Sequence, residues 1–438
     1  TISEAGVTAN TNDVLTTTAN VQIAAVGGDV TIGSTVSTND DNAQIDIAAL
    51  QDIVVNPALA APGANTVVTA SQINTFAGLT GNSAVVGSAA NPFAVSALTS
   101  NDAVILNVGA AGLDPFVDDS FGALGGFDDT ATPSVLNVSS ATSLSLNAQT
   151  GESVTATTLG GNSVLTATDV QVDSADGSVS LSSDYDVILA DTDGILVNGG
   201  STAGDSSISV SAGRYIANEE ALDLVTDPLG NVGGDLGAKS VSLTASTFNA
   251  DPLGSGYVYA SILDTAETVS VTSTAPTGQI FLEFDRATGV ELDGINSDGS
   301  IFLLNTDSAT GEEVGFVIGA GGVTAGATAS VGLEADGDIA STEETGVVAG
   351  SISGGSAVLV TPADVDVNTA VTDLSVDAED VTIVQAGDLR VSPGTDSAGV
   401  ELLGVTALND ASITVTAGGI LESTGVLDAE NAVITTAN

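Results

Sequence analysis

One short phrase recurs along the whole chain: an alternating apolar run, a corner centred on glycine, and a second alternating run. It reads VTIVQAGDLRV at 381–391 and ITVTAGGIL at 413–421, with variants at 170–181, 332–340 and 21–32. Alternation with a period of two places one set of side chains on a buried face and the other in solvent. Glycine permits the positive φ of a tight corner. The corner glycines are Gly387, Gly418, Gly177, Gly337 and Gly28.

Recurrence of one strand–corner–strand unit is typical of a solenoid, in which each unit buries its apolar face against its neighbours. The sequence therefore predicts an all-β fold, a parallel β-helix (β-solenoid), as a single elongated body over 1–438. Irregular excursions are expected near 41–133 and 212–239, where the alternation weakens and prolines interrupt it. Within the first excursion, 43–55 is also compatible with one helical turn.

The composition excludes several classes of site. The chain has no Cys, Met, Trp or His. Without cysteine it offers no disulfide, no thiolate metal ligand and no cysteine nucleophile. Without histidine it lacks the commonest general base and the usual zinc ligand. No cofactor is expected, and neither is enzymatic activity.

The charge balance restricts the partners. There are 56 acidic and 4 basic residues, a net charge of −52, and the basic residues are scattered. Nucleic acid and anionic membrane surfaces are therefore not expected as partners, since both require clustered Lys and Arg. No stretch is long and apolar enough for membrane insertion. Such a charge favours a medium in which salt or divalent cations screen the repulsion.

The amino-terminal part, 1–133, is predicted to be less regular than the remainder and to contain a loop at 110–133. This loop holds Phe116, Phe121 and Phe127 among several aspartates. Its phenylalanines either dock on a neighbouring subunit, as interface aromatics do, or fold back over the core of their own chain.

From 134 to 438 the alternating runs are regular, apart from a short helical insertion expected at 215–230. Asn218 before two glutamates is typical of a helix N-cap, and Pro228 and Gly230 would end the helix. Phe281, Phe284, Phe302 and Phe316 stand in or beside strands. They are expected to stack in the core, and the alternative is a platform for a ligand.

Two kinds of acidic cluster are candidates for acid–base catalysis or for calcium binding. With so many carboxylates, close pairs such as Asp184 with Asp186 or Asp364 with Asp366 arise by chance and indicate little about acid–base catalysis. Asp191 and Asp193 precede a glycine as in the opening of a calcium loop, but the remaining ligands of an EF-hand do not follow. They are either calcium ligands or simple turn formers.

The phrases GDVTI, GSVSL, AGDLRV, AGGILES and LDAENAVITT resemble filamentous-haemagglutinin-type and autotransporter-like right-handed parallel β-helices, chiefly over 134–210 and 330–438. The resemblance lies in the style of the repeats. It implies a shaft on the outside of a bacterium. The chain begins at Thr1 without a basic or apolar leader, which indicates a processed or excerpted segment of an exported protein.

These observations predict a structural extracellular protein, the subunit of a homopolymeric cell-surface filament, fibre or sheath assembled head to tail. The alternatives are a shaft segment of a large secreted adhesin, which would contact a host or neighbouring cell surface, and a carbohydrate-active β-helix enzyme. Both termini share the repeat idiom, so they are expected to meet between subunits. The predicted interface residues are Thr1, Ile2, Val7, Val14, Leu15, Phe116, Phe121, Phe127, Val433 and Ile434.

Overall fold

A computed structural model describes residues 2–4, 7–9, 15–17, 21–25, 30–32, 36–38, 44–49, 53–55, 68–77, 83–86, 98–108, 135–140, 144–150, 153–158, 163–197, 204–218, 235–246, 256–263, 266–285, 290–305, 315–344, 347–348, 350–396, 399–416 and 419–436. Throughout these ranges the chain is all-β, with strands that pair in parallel and no helix.

The first twenty strands are β1 (Ile2–Glu4), β2 (Val7–Ala9), β3 (Leu15–Thr17), β4 (Val21–Ala25), β5 (Val30–Ile32), β6 (Val36–Thr38), β7 (Gln44–Ala49), β8 (Ile53–Val55), β9 (Val68–Ala77), β10 (Ser83–Val86), β11 (Leu98–Val108), β12 (Val135–Ser140), β13 (Leu144–Thr150), β14 (Ser153–Thr158), β15 (Val164–Val172), β16 (Ser178–Ser183), β17 (Asp186–Val197), β18 (Ser207–Ala212), β19 (Tyr215–Asn218) and β20 (Asp235–Gly237).

The others are β21 (Ser240–Ala245), β22 (Tyr257–Leu263), β23 (Thr268–Ser273), β24 (Ile280–Asp285), β25 (Val290–Ser297), β26 (Ile301–Asn305), β27 (Phe316–Ile318), β28 (Val323–Thr324), β29 (Ser330–Ala335), β30 (Ile339–Ser341), β31 (Glu343–Glu344), β32 (Val347–Val348), β33 (Ile352–Val360), β34 (Val365–Ala378), β35 (Val381–Ala386), β36 (Leu389–Val391), β37 (Gly394–Thr395), β38 (Glu401–Leu402), β39 (Gly404–Ala407), β40 (Asp410–Thr416), β41 (Leu421–Ser423), β42 (Val426–Asp428) and β43 (Asn431–Thr436).

The chain forms two compact units, Thr1–Gly213 with Gly233–Ala238, and Arg214–Val232 with Lys239–Asn438. In the first unit, one parallel ladder runs through β1, β4, β7, β9, β11, β13, β15, β17 and β20. A second runs through β2, β5, β8, β10, β12, β14, β16 and β18. Strands β3 and β6 stand apart from these two ladders: they pair with each other, and β6 also pairs with β9. From β8 to β18 each strand pairs with the second strand along the chain, and the intervening strand belongs to the other ladder.

The second unit repeats this arrangement. One ladder runs through β19, β22, β24, β26, β29, β33 and β34. Another runs through β21, β23, β25, β27, β30, β34, β35, β40 and β43. Two short antiparallel pairs, β31 with β32 and β37 with β38, stand outside the ladders.

The core follows the predicted alternation. In SVSLSS (β16), Val179 and Leu181 are buried and Ser180 is exposed. The buried residues lie in register, so that Val179 lies between Val154 and Ile208 along the ladder. Buried hydrophobic side chains are mostly Val, Ile, Leu and Ala, with Phe284 and Phe316 among the largest. The strands expected between 134 and 210 are confirmed.

Three expectations need correction. The excursion near 41–133 contains β7 to β11, and strands β7 and β8 replace the helical turn expected at 43–55. Both strands pair in parallel, β7 with β4 and β9 and β8 with β5 and β10, which a helical turn could not do. The helix expected at 215–230 cannot include Tyr215–Asn218, which form β19 and pair with β22 in parallel. Residues 219–230 and the loop 110–133 lie outside the described residues.

The third correction concerns the phenylalanines. Phe284 and Phe316 are buried, with rings in edge-to-face contact at 5.4 Å. Phe281 and Phe302 are only half-buried and lie on the opposite face of β24 and β26. Phe281 and Phe284 are three residues apart in one strand, and an odd separation places two side chains on opposite faces. The prediction that all four stack in the core was therefore wrong for Phe281 and Phe302.

The corner glycines are only partly as predicted. Gly387 has a φ of 90°, in the region that favours glycine. Gly177 and Gly337 do not have a positive φ. Gly177 closes a turn in which its N–H donates to the carbonyl of Ser174 at 3.0 Å. Glycine is favoured at that last turn position without needing a positive φ. Gly28 and Gly418 lie outside the described residues.

Candidate functional site: strand edges, an aspartate ladder and an outward groove

The predicted interface residues that are described lie in strands paired on one side. Ile2, Val7 and Leu15 lie in β1, β2 and β3, which pair with β4, β5 and β6. Val433 and Ile434 lie in β43, which pairs with β40. No second partner is seen for these strands among the described residues. Thr1, Val14, Phe116, Phe121 and Phe127 lie outside the described residues.

The strands β41, β42 and β43 leave apolar side chains uncovered at positions that are buried one strand earlier. Ile434 is in register with Ile413, and the exposed fraction rises from 1% at Ile413 to 49% at Ile434. Leu421 and Leu427 stand in register with the buried residues Leu389 and Val405. Val433 points to the other face and is 58% exposed. These three strands therefore present backbone donors and acceptors together with an apolar surface.

An aspartate ladder stands at one corner of the second unit. Asp338, Asp364 and Asp380 each precede a strand and Asp410 is the first residue of one, all at matching positions along one ladder. The carboxylates of Asp338, Asp364 and Asp380 accept the backbone N–H of the next aspartate at 3.1, 3.2 and 2.8 Å. Asn431 ends the series and donates its side-chain amide to Asp410 at 2.7 Å. Each carboxylate thus caps a strand, at the cost of placing like charges in consecutive positions.

This arrangement alters the titration of Asp364. Partial desolvation raises the pKa of Asp364, and the neighbouring carboxylates of Asp338 and Asp380 raise it further, while the hydrogen bond from the Asp380 N–H opposes the shift. A raised pKa means that the folded state binds the proton more tightly than the unfolded chain. The ionised form therefore lowers stability near neutral pH, and the penalty disappears as the pH falls through the raised pKa.

We expect Asp364→Asn to raise the free energy of unfolding by about 0.5 kcal/mol at pH 7 and low ionic strength, the scale of exposed charge pairs. The asparagine oxygen still accepts the Asp380 N–H, so only the charge is lost. The gain should vanish below the pKa of Asp364, and also in molar salt or calcium, which screen the ladder. Thermal unfolding in each buffer measures it.

Asp388→Asn is the matched control. The Asp388 carboxylate accepts the N–H of Ile420 at 2.8 Å, so it makes the same hydrogen bond as the ladder aspartates. The residue that donates is an uncharged isoleucine, whereas in the ladder it is another aspartate. If Asp364→Asn and Asp388→Asn change stability equally, or if the gain is indifferent to salt and pH, repulsion within the ladder is not its cause.

The calcium site predicted at Asp191 and Asp193 is not tested by side-chain geometry, since only their backbone is described. Both lie in β17, at a register shift where Ala167 pairs with Leu189 but Asp169 pairs with Gly194. The extra residues of β17 therefore form a bulge. Across the described ranges, no group of three or more acidic side chains is placed to hold a metal ion.

The two carboxylate pairs considered for acid–base catalysis lie at different depths in the fold. Asp184 is exposed, whereas Asp186 is buried. Asp364 and Asp366 are both exposed, at the corner before β34 and within it. No helix in the described part of the chain is long and apolar enough to cross a membrane.

The sequence analysis missed an aromatic row on the outer face of the second unit. The ring centroids are 5.6 Å apart between Tyr215 and Tyr257 and 6.1 Å between Tyr257 and Tyr259. The row continues to Phe281 at 6.3 Å from Tyr259 and to Phe302 at 5.6 Å from Phe281. Burial raises the pKa of Tyr259, and the neighbouring tyrosines add to the shift. Arg214 stacks on the Tyr215 ring, 3.9 Å from its centroid.

The aromatic row leads into a groove of about 580 Å³. Two rows of outward positions form its floor. The first row is Ser300, Ser330, Ser356, Asp373 and Arg390, and the second is Phe302, Gly332, Val358, Ser375 and Ser392. One wall is the segment Pro393, Gly394 and Thr395, which includes the short strand β37.

Hydrogen bonds hold the first row in place. Ser356 Oγ donates to Ser330 Oγ at 2.9 Å, and the Ser330 N–H donates to Ser300 Oγ at 3.3 Å. Arg390 donates through Nε and Nη2 to the two oxygens of Asp373. These hydrogen bonds lower the pKa of Asp373, and Asp373 in turn raises the pKa of Arg390. The pair therefore stays ionised and keeps a fixed bidentate geometry.

No protein-family model, curated protein or solved structure matches this chain. The resemblance to haemagglutinin-type β-helices therefore stays a prediction, and the function has to be argued from the geometry.

Proposed function

We propose that the chain is a parallel β-solenoid that assembles end to end into a structural extracellular filament. The regular return of the strands to parallel ladders within each unit supports the solenoid, since each ladder step would be one coil. The observation that carries the assembly is the combination of one-sided strand pairing with uncovered apolar residues in β41 to β43. An open strand edge of this kind is a template for pairing with another chain.

The proposed contact joins the edge of β41 to β43 in one subunit to the edge of β1 to β3 in the next. Parallel pairing would satisfy both sets of backbone groups and cover Leu421, Leu427 and Ile434. A contact between two different surfaces propagates without closing and so forms a fibre. Screening by salt or calcium would favour the contact, because each copy carries a net charge of −52.

The competing proposal is a shaft segment of an adhesin, in which further residues of the same polypeptide would occupy these edges. A carbohydrate-active enzyme is the third proposal, and no pair of carboxylates in the described residues favours it specifically. The two proposals differ in what lies against these edges: a second copy of the chain in the filament, and further residues of the same polypeptide in the adhesin.

The test uses the recombinant chain 1–438 in calcium-containing buffer, with negative-stain microscopy and sedimentation as readouts. Deleting residues 1–20 removes β1, β2 and β3, and we expect fibres to be lost. Ile434→Asp places a charge in the contact and should shorten fibres, with association weakened at least about tenfold by the buried charge.

Thr435→Asp is the matched control, since Thr435 lies beside Ile434 in the same exposed strand but faces the other way. It should leave assembly nearly unchanged. If the deletion variant still forms fibres as long as those of the full chain, or if Ile434→Asp and Thr435→Asp behave alike, pairing through these edges does not build the polymer.

A further inference from the structure

The outer face of the second unit concentrates side chains that are scarce in this protein. The chain has only four tyrosines and four basic residues. Three of the tyrosines, Tyr215, Tyr257 and Tyr259, lie in the aromatic row, and two of the basic residues, Arg214 and Arg390, lie at its start and in the groove. A structural shaft needs none of these on its outer face, so the proposed filament function does not account for them.

The groove is shaped by the contact between Phe302 and Gly332. A Cβ atom at position 332 would lie 2.5 Å from two ring carbons of Phe302, so the ring occupies the space above this glycine. The half-buried ring therefore forms an apolar surface at one end of the groove. At the other end, a Cβ at Gly394 would lie 2.8 Å from Ser375 Cβ. The β37 segment therefore packs closely on the second row, to which Ser375 belongs. The cavity between them is a built feature of the fold.

The polar groups of the groove are fixed before any ligand arrives. The hydroxyls of Ser356 and Ser330 are joined to each other, and Ser300 Oγ accepts the Ser330 N–H. Asp373 and Arg390 hold each other through their bidentate pair. A cavity of roughly 300–1,000 Å³ with an apolar surface and a few fixed polar groups is typical of small-molecule sites. At about 580 Å³, this groove lies within that range.

Charge narrows the class of ligand. The net charge of −52 repels anions, including nucleic acids and acidic polymers. The lining residues contain one carboxylate, Asp373, and one guanidinium, Arg390, which neutralise each other. The groove therefore offers no unbalanced charge for a cation.

We propose that the groove binds a neutral saccharide. A sugar ring carries an apolar face of C–H groups and a rim of hydroxyls that donate and accept hydrogen bonds. Phe302 offers a ring face for the C–H groups. The serine row, the Asp373 carboxylate and the Arg390 guanidinium offer acceptors and donors for the hydroxyls. The aromatic row through Phe281 extends this surface, so a longer chain can leave the groove along it.

The experiment applies the full chain 1–438 to an array of immobilised neutral and acidic glycans, and follows the strongest neutral binder by calorimetry. We expect binding to neutral glycans. Phe302→Ala and Arg390→Gln should each weaken the affinity at least about tenfold, the effect of losing a single well-placed contact. Phe302→Tyr keeps the ring and should retain binding. Leu408→Ala is the control, since it truncates a side chain that is 71% exposed and lies outside the groove.

Three outcomes would overturn the proposal: binding to no neutral glycan, binding to acidic glycans only, or binding that Phe302→Ala leaves intact. If Phe302→Ala instead abolishes self-association in sedimentation, the face is a contact between copies and the saccharide proposal is wrong. These readouts are separate from fibre formation through β1 to β3, so either proposal can fail alone.

Discussion

Phe284→Ala is expected to lower the free energy of unfolding by about 3–5 kcal/mol, the usual cost of truncating a buried phenylalanine. Phe284 is 1% exposed, and its ring meets the equally buried ring of Phe316 edge to face. The two residues come from different ladders, since β24 pairs with β26 and β27 with β30. The cavity would therefore remove a contact between the ladders.

The matched control is Phe302→Ala, one strand away. Its side chain lies on the outer face, where truncation leaves no closed cavity, and we expect a loss of less than about 1 kcal/mol. Urea unfolding of both variants, followed by circular dichroism, makes the comparison. Equal losses would contradict the assignment of Phe284 to the inner face and Phe302 to the outer face.

Gln385→Leu is expected to destabilise the chain by about 3 kcal/mol or more, because several buried polar groups lose their partner at once. Gln385 is 1% exposed. Its Oε1 accepts from Thr369 Oγ1 at 2.7 Å, and its Nε2 donates to the carbonyl oxygens of Val371 and Asp388 at 2.8 and 3.1 Å. Leucine fills a similar volume but makes none of these bonds.

Hydrogen exchange over 365–391 should show the loss locally, in addition to a lower unfolding midpoint. Thr382→Leu introduces the same residue at an exposed position of the same strand and should change stability by less than about 0.5 kcal/mol. Adding Thr369→Val to Gln385→Leu removes the orphaned hydroxyl as well, so the double variant should lose less than the sum of the single losses. Additive losses, or unchanged exchange near Val371, would show that Gln385 does not hold this corner.

The strands could be predicted because their signal is local. In SVSLSS the alternation alone assigns Val179 and Leu181 to the buried face, and pairing in register follows from stacking like on like. Aspartates after or near corner glycines, such as Asp338 and Asp388, were visible in the repeated phrase. Their role in capping the next strand could not be predicted, because it depends on which corners become neighbours when the strands stack into ladders.

The outer face of the groove could have been predicted from alternation along the strands, because position in a strand, and not hydrophobicity, decides on which face a phenylalanine lies. In IFLEF, Ile280, Leu282 and Phe284 share one face, so Phe281 has to lie on the other. Applying the same rule to YVYASIL places Tyr257 and Tyr259 together on one face. The Asp373 and Arg390 pair could not be predicted in this way, since the register of β34 with β36 depends on the length of the intervening connections.

The ladders constrain strands in register but leave the connections between them free in length. Asp380 and its ladder partner Asp364 are 16 residues apart in sequence, whereas Ile420 and Asp388 are 32 apart, yet both pairs make the same hydrogen bond. Doubling a flexible connection costs only about 0.6 kcal/mol of closure entropy. Evolution can therefore enlarge or exchange a connection, such as the β37–β38 hairpin that walls the groove, without altering the pairing beneath it. Such a change would reshape the wall of the groove while the ladders stay the same.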